Sequence, residues 1–121
     1  MTEDDVLAFA ASSIGSLWSL ELLLFLKRGA GRTCSPDELI RELRSSRTVV
    51  ADVLVALRER GLIAESEAGR WRYQPTEPRL EAVVAALEQL YAVKPAAVIK
   101  AIVASPDRKL RLLSDAFKIT E

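Results

Sequence analysis

The pattern of hydrophobic and polar positions is clearest over residues 46–73. Its first half carries apolar side chains at three- and four-residue intervals, at Val50, Val53, Leu54 and Leu57. This spacing predicts an amphipathic helix over residues 46–60. Gly61 follows a charged last turn and predicts the helix end, because glycine enters the left-handed conformation without a Cβ penalty. Beyond it, two β-prone runs flank a turn at Gly69, and Arg70-Trp71-Arg72-Tyr73 alternates charged and aromatic residues. The second half therefore predicts a β-hairpin over residues 62–74.

Two helices are predicted before this segment. Residues 16–28 are apolar almost all round, which indicates a helix buried on more than one side. After a break at residues 29–31, Ser35 and Pro36 form a helix start, and Glu38 stands where it would complete a capping box. That helix is expected to end near Leu43, and a tight turn follows in which Ser45 or Ser46 caps the next helix.

The flanking regions are also predicted to be helical. Residues 3–12 suit a short helix with acidic residues in its first turn. After the hairpin, Thr76 is expected to cap a helix over residues 76–93 with a wide apolar stripe. Pro95 ends that helix and begins another to about residue 104, and a last helix is predicted over residues 106–118. The short run at residues 32–34 has room for a turn or a single short strand.

Two short helices joined by a tight turn and followed by a hairpin are the order of parts in a winged helix-turn-helix. The run from Ser16 to Tyr73, with its Ser-Pro-x-Glu-Leu and Leu-x-x-x-Gly-Leu-Ile patterns, resembles small bacterial transcriptional regulators of the broad MarR-like and ArsR-like kind. The tail from Tyr91 is similar to a helical extension of uncharacterised bacterial proteins. The predicted fold class is mainly α with a small β-hairpin wing. We expect one integrated domain, with an N-terminal helix over 1–13, a winged core over 14–75 and a C-terminal dimerisation region over 76–121.

The resemblance implies a homodimer that binds double-stranded DNA, with no catalytic activity. It places the helix of residues 46–60 in the major groove and the wing of residues 62–74 on the backbone or in the minor groove. Its pattern puts the groove-facing positions at Arg47, Thr48, Ala51, Asp52 and Val55, and the wing tip at Gly69 and Arg70. Arg44, Arg70 and Arg72 are the expected contacts to phosphate or the minor groove.

The charge balance gives this DNA-binding interpretation only moderate support. The chain of 121 residues carries 17 basic and 17 acidic residues and has no net charge. Residues 1–26 hold four acids and no base, residues 27–73 hold ten bases and seven acids, and residues 74–121 hold seven bases and six acids, giving −4, +3 and +1. The helical wheel also turns Asp52 and Glu59 outward, where they would repel phosphates. The alternative is a protein-interaction module on the same scaffold, using Val49 and Val55.

Other classes of function find little support in the composition. The chain has no histidine and one cysteine, Cys34, which disfavours a zinc site, histidine-based catalysis and an internal disulfide. We therefore expect no catalytic residue, no metal and no cofactor, and the single thiol fits a reducing cytoplasm. The longest apolar run, Leu22 to Leu26, has five residues, so no membrane segment is expected. Within the hairpin, Trp71 and Tyr73 are expected to pack inward, with Arg70 and Arg72 facing solvent.

Overall fold

The protein is mainly helical and carries one small antiparallel sheet, as the sequence predicts. The structure is a computed structural model and describes residues 1–29 and 31–104. Its helices are α1 (Glu3–Phe9), α2 (Leu17–Arg28), α3 (Pro36–Leu43), α4 (Arg47–Glu59), α5 (Pro78–Val93) and α6 (Pro95–Val103), with a π-helical turn at Ala10–Ile14, and its strands are β1 (Ile63–Glu65) and β2 (Trp71–Tyr73). The helix predicted over residues 106–118 lies outside the described residues.

The chain separates into two compact units by its internal contacts. One unit is Trp18–Val84, which holds most of α2, all of α3, α4, β1 and β2, and the start of α5. The other joins Met1–Leu17 to the chain from Ala85 onward. The division lies between residues 17 and 18, inside α2, and between residues 84 and 85, inside α5. The boundaries predicted from the sequence, at residues 14 and 76, lie at other positions.

Helix α2 supplies the largest set of buried side chains in the Trp18–Val84 unit. It buries Ser19, Leu20, Leu22, Leu23, Leu24 and Leu26. A helix with so many buried positions has no continuous polar face, which agrees with the sequence pattern. Trp18, at its start, is 42% exposed and does not belong to this buried set.

Local sequence signals position α3 and α4 as predicted. The Ser35 hydroxyl accepts a 3.1 Å hydrogen bond from the Glu38 amide, and Pro36 occupies the first helical turn. Between the helices, Arg44 adopts a left-handed conformation with φ 53°, and Ser46 then caps α4 by accepting from the Val49 amide. The tight turn therefore redirects the chain within three residues, and of the two candidate caps the structure selects Ser46.

The hairpin follows directly from the end of α4. Gly61 has φ +76°, the left-handed stop that the sequence predicts, and β1 pairs antiparallel with β2 so that Ile63 faces Tyr73. Outside the named strands, Cys34 pairs with Trp71 through two backbone hydrogen bonds of 2.8 Å. The short run before α3 therefore contributes an isolated one-residue bridge to β2, and the described sheet keeps two strands.

In the second unit, the N-terminal helix differs in detail from its prediction. Thr2 and Asp5 form a reciprocal capping box at the start of α1. The helix then widens into the π-helical turn and ends at Gly15, which has φ 75°. The segment therefore stays helical to Ile14, beyond residue 12, where the predicted helix ends. Packing among α1, the π turn and α6 buries Val6, Ala10, Ile14, Val98 and Ile102.

Helix α5 begins later than predicted. It starts at Pro78, and the Thr76 side chain lies against Gly61. The amide of Thr76 donates to the Gly61 carbonyl at 2.9 Å, so these two residues close the loop that carries the hairpin. Thr76 is therefore part of the hairpin base, and the expectation that it caps α5 is wrong.

Candidate nucleic-acid interface

Helix α4 separates its side chains into a buried row and an exposed row. The buried row is Val50, Val53, Leu54 and Leu57, the four positions that the spacing predicts. The exposed row is Arg47, Thr48, Ala51, Asp52 and Val55. These five positions recur at i, i+1, i+4, i+5 and i+8, so they lie along one stripe of the helix. The predicted groove-facing residues are therefore brought together on one accessible surface.

An ion pair occupies the first residue of this surface. Arg47 Nη2 lies 2.8 Å from Asp37 Oδ1, and both side chains are more than 70% exposed, at 75% and 72%. Asp37 is in the first turn of α3, so the pair joins the starts of the two helices across the tight turn. The pair directs the guanidinium toward the α3 side and leaves its remaining N–H groups in solvent.

Arg44 and Asp52 extend the surface with opposite charges. Arg44 is exposed in the turn between the two helices, where its backbone is left-handed. Asp52 is exposed near the middle of α4, one helical turn after Thr48. The stripe therefore carries positive charge at its beginning and negative charge at its centre, and it does not form a continuous basic patch.

The two arginines of the hairpin, Arg70 and Arg72, have different environments. Arg72 is exposed, and its Nε donates to Gln74 Oε1 at 2.7 Å, which holds the guanidinium beside the hairpin. Arg70 is half buried: its Nε donates to Thr33 Oγ1 at 2.9 Å and its Nη2 donates to the Thr33 carbonyl at 2.8 Å. The expectation that Arg70 faces solvent is wrong.

The third partner of Arg70 is a residue of α3. Arg70 Nη2 lies 3.1 Å from Glu38 Oε1, with both side chains somewhat more than one-third exposed. The sequence places Glu38 in a capping box, yet its carboxylate binds Arg70, and only the Ser35 half of the box forms. A guanidinium offers several fixed donors, so it can bind the Thr33 hydroxyl, the Thr33 carbonyl and a carboxylate together. Arg70 therefore fastens the hairpin to the start of α3.

The aromatic face of the hairpin is oriented as predicted. Trp71 is 5% exposed and Tyr73 is half buried, while Arg72 between them is exposed. Arg58 from the last turn of α4 lies 5.6 Å above the Trp71 ring and 3.5 Å from Glu65. A cation over an indole face is attracted by the ring quadrupole, so Arg58 joins the end of α4 to both strands.

A cleft of about 780 Å³ lies beside the contacts that Arg70 makes with Thr33 and Glu38. Phe25, Leu26 and Cys34 provide its apolar lining, and Arg28, Arg32, Glu38, Glu42 and Arg70 provide its charged lining. Burial, and then the nearby Glu38 carboxylate, raise the pKa of the Cys34 thiol. The thiol is therefore protonated at neutral pH and is a weak nucleophile there.

Sequence reasoning missed three residues that organise this surface: Asp37, Thr33 and Gln74. Asp37 and Thr33 carry no periodic or motif signal for their roles. Thr33 lies 37 positions from the arginine it binds, so only the folded chain brings the two together. For Gln74 the signal is its spacing: it stands two positions after Arg72, and side chains two positions apart lie on the same face of an extended chain.

Comparisons with known proteins do not assign a function to this interface. A scan of protein-family models and searches of curated proteins and of solved structures found no match to this chain. Among residues 1–29 and 31–104, no group of three histidine, cysteine or acidic residues could hold a metal ion. In the same residues, no single helix has both the length and the apolar character needed to cross a membrane.

Proposed function

We propose that the Trp18–Val84 unit is a winged helix-turn-helix that binds double-stranded DNA, and that the protein is a bacterial transcriptional regulator acting as a homodimer in the cytoplasm. The observation that carries the proposal is the exposed row of α4, which begins directly after the tight turn from α3. In helix-turn-helix proteins the second helix enters the major groove with its N-terminal residues on the base edges.

The small sheet supports the same assignment. The Cys34–Trp71 pairing adds an isolated backbone bridge to the hairpin and ties it to the segment just before α3. Arg72 is exposed on that wing, where it can meet phosphate or the minor groove. Arg70 is assigned a different role, because the clamp to Thr33 and Glu38 uses its donors within the protein.

The start of α4 is suited to phosphate as well as to bases. The free amides at a helix N-terminus and the helix dipole favour a negative group there. Arg44 and Arg47 add two guanidinium groups at this end of the helix. Asp37 offsets part of the Arg47 charge, so the phosphate contacts available to one protomer are few.

A protein-interaction module on this scaffold is the second candidate. It is favoured by one observation: Val55, 42% exposed, lies beside exposed Asp52 at the centre of the same row. An apolar side chain beside a carboxylate suits a protein partner as well as it suits DNA. Val49 is half buried and would contribute only part of its surface.

Fluorescence anisotropy with a mixed-sequence duplex at low salt tests DNA binding directly. We expect the protein to bind, with a salt slope of about −5 for the dimer, because about three exposed arginines in each of the two protomers reach phosphate and each contributes about −0.9. Arg44→Ala and Arg72→Ala should each make that slope shallower by about two, because each substitution removes one contact from both protomers. Arg79→Ala, which removes an exposed arginine of α5, is the matched control and should leave the slope unchanged.

Asp52→Arg decides between the two candidates. Replacing the acid of the exposed row by a base should strengthen binding to every sequence if α4 faces DNA, because the change adds a phosphate contact and removes a repulsion. Absence of binding by the wild type at low salt, with no binding restored by Asp52→Arg, would contradict the DNA-binding proposal and favour the protein partner.

A further inference from the structure

The exposed row of α4 has a restricted chemistry after its first residue. Thr48, Ala51, Asp52 and Val55 present a hydroxyl, a methyl group, a carboxylate and a branched alkyl group. Arginine, asparagine and glutamine are the side chains that bind a purine edge through two hydrogen bonds. Apart from Arg47, which is paired with Asp37, the row contains none of them. Its contacts with bases therefore come from the Asp52 carboxylate, which only accepts, from the Thr48 hydroxyl, which can bind any base, and from apolar groups.

The length of the row sets how many bases it can reach. Thr48 and Val55 are seven residues apart on a straight helix, which is about 10 Å at 1.5 Å per residue. Stacked base pairs are about 3.4 Å apart, so the row covers about three of them. Ala51 and Asp52 lie between its ends, one helical turn from each.

The Asp52 carboxylate distinguishes between bases by repelling some of them as well as by binding others. An ionised carboxylate only accepts hydrogen bonds. In the major groove guanine presents two acceptors, thymine presents an acceptor and a methyl group, and adenine presents a donor next to an acceptor. Cytosine alone presents a donor with no acceptor of its own beside it. Asp52 is therefore compatible with cytosine and disfavours guanine most, which is the kind of repulsion that produces specificity.

We propose that α4 selects its DNA half-site by contacting pyrimidine bases; this inference rests on the proposed DNA binding. The methyl groups of thymine pack against Val55 and Ala51, and the amino group of cytosine donates to Asp52. Val55 is 42% exposed and has the largest free apolar surface in the row, so it supplies the principal methyl contact. This selection compensates for the small number of phosphate contacts, because affinity that arises from base edges does not depend on counterion release.

Two parallel selections with the full-length protein test the proposal. One random duplex pool contains thymine and the other contains uracil, which lacks the C5-methyl group but has the same hydrogen-bonding groups. The thymine pool should give a consensus with adjacent thymine and cytosine positions. The same site built with uracil should bind about fourfold more weakly per methyl contact, the loss expected for one buried methyl-sized group.

Two variants assign the contacts to residues. Val55→Ala should remove the difference between thymine and uracil at one position. Asp52→Asn should change the selected base from cytosine to adenine at one position, because an asparagine amide binds adenine through two hydrogen bonds. Both residues are exposed, so unchanged melting temperatures will show that the variants are folded.

Two results would overturn the proposal. If the wild type selects a site that binds equally well with uracil, the methyl contact is wrong. If Asp52→Asn selects the unchanged sequence, the cytosine contact is wrong. In both cases DNA binding itself stands. If neither pool yields an enriched sequence and mixed duplex is not bound at low salt, the proposed function fails first, and the inference fails with it.

Discussion

A Cβ atom at Gly61 would lie 2.7 Å from Oγ1 of Thr76, closer than real Cβ contacts come. Gly61 also has φ +76°, a conformation that costs an L-residue roughly 1–2 kcal/mol. Gly61→Ala should therefore destabilise the protein by both strain and contact, measured by urea unfolding. Thr76→Ala should recover part of the loss in the double variant, because it removes the contacted oxygen.

Gly69→Ala is the matched control for this pair. Gly69 has a similar φ of +73°, but a Cβ there meets no atom within 4 Å. Its substitution should show the cost of the backbone conformation alone. Equal losses for the two glycines would mean that the contact with Thr76 relaxes without cost.

Trp71→Ala should cost roughly 3–5 kcal/mol of unfolding free energy, the range for removing a buried aromatic side chain. Trp71 is 5% exposed, and its ring also receives the Arg58 guanidinium. Arg72→Ala, on the opposite face of the same strand, should change the free energy by less than about 0.5 kcal/mol. Chemical denaturation of both variants checks the orientation of the hairpin, and similar losses would contradict it.

Arg70→Ala should lower stability by about 1 kcal/mol, since its hydrogen bonds are real but its ion pair with Glu38 is screened by solvent. Its effect on the salt slope of DNA binding should be smaller than that of Arg72→Ala, because Arg70 is fastened to α3. Arg70→Lys keeps the charge but not the planar set of N–H donors, so it should lower stability by nearly as much as Arg70→Ala does. A slope that is shallower by about two units in Arg70→Ala, one for each protomer, would instead make Arg70 a phosphate contact.

The Cys34 thiol should be slow to react at neutral pH. Burial raises its pKa above the ordinary value of 9.0, and only the thiolate is a strong nucleophile. At pH 8, iodoacetamide should label the folded protein more slowly than the unfolded protein, with one label per chain because Cys34 is the only cysteine. Equal rates would show that the thiol is open to solvent.

The raised pKa of Cys34 makes the free energy of unfolding depend on pH in the alkaline range. The folded state holds the thiol proton more tightly, so this contribution is complete below the unfolded pKa and is lost as pH rises through the folded pKa. The free energy of unfolding of the wild type should therefore fall relative to that of Cys34→Ser above about pH 9. A constant difference between the two proteins across this range would contradict the shift.

The protein should sediment as a dimer at micromolar concentration. In the unit that contains α1 and α6, Met1 and Val93 are 67% and 74% exposed and border one groove with Leu90 and Val6. Apolar patches of this kind mark interfaces. Val93→Lys should shift the protein toward monomer, while Val55→Lys, the same change on α4, should not. A monomer in the wild type would contradict this prediction and would weaken the proposal that the protein binds DNA as a homodimer.

Local sequence determined the elements and their order. Ser35 and Pro36 start α3, and Gly61 ends α4, because these signals act through the backbone of a few neighbouring residues. The period of the apolar residues determined which side of α4 is buried, and therefore which residues form the candidate interface. That inference needs no knowledge of the partner elements, since the apolar residues of α4 form one stripe whatever that stripe packs against.

Only the tertiary structure decided which charged side chains are available. Glu38 could complete a capping box within four residues or meet Arg70 32 positions away, and the fold selects Arg70. The pairing of Cys34 with Trp71 likewise joins two segments that no short-range pattern connects. Such choices depend on which groups the fold brings within hydrogen-bonding distance. Sequence periodicity reports the face on which a residue lies, and the contacts across the fold decide whether its charge remains free.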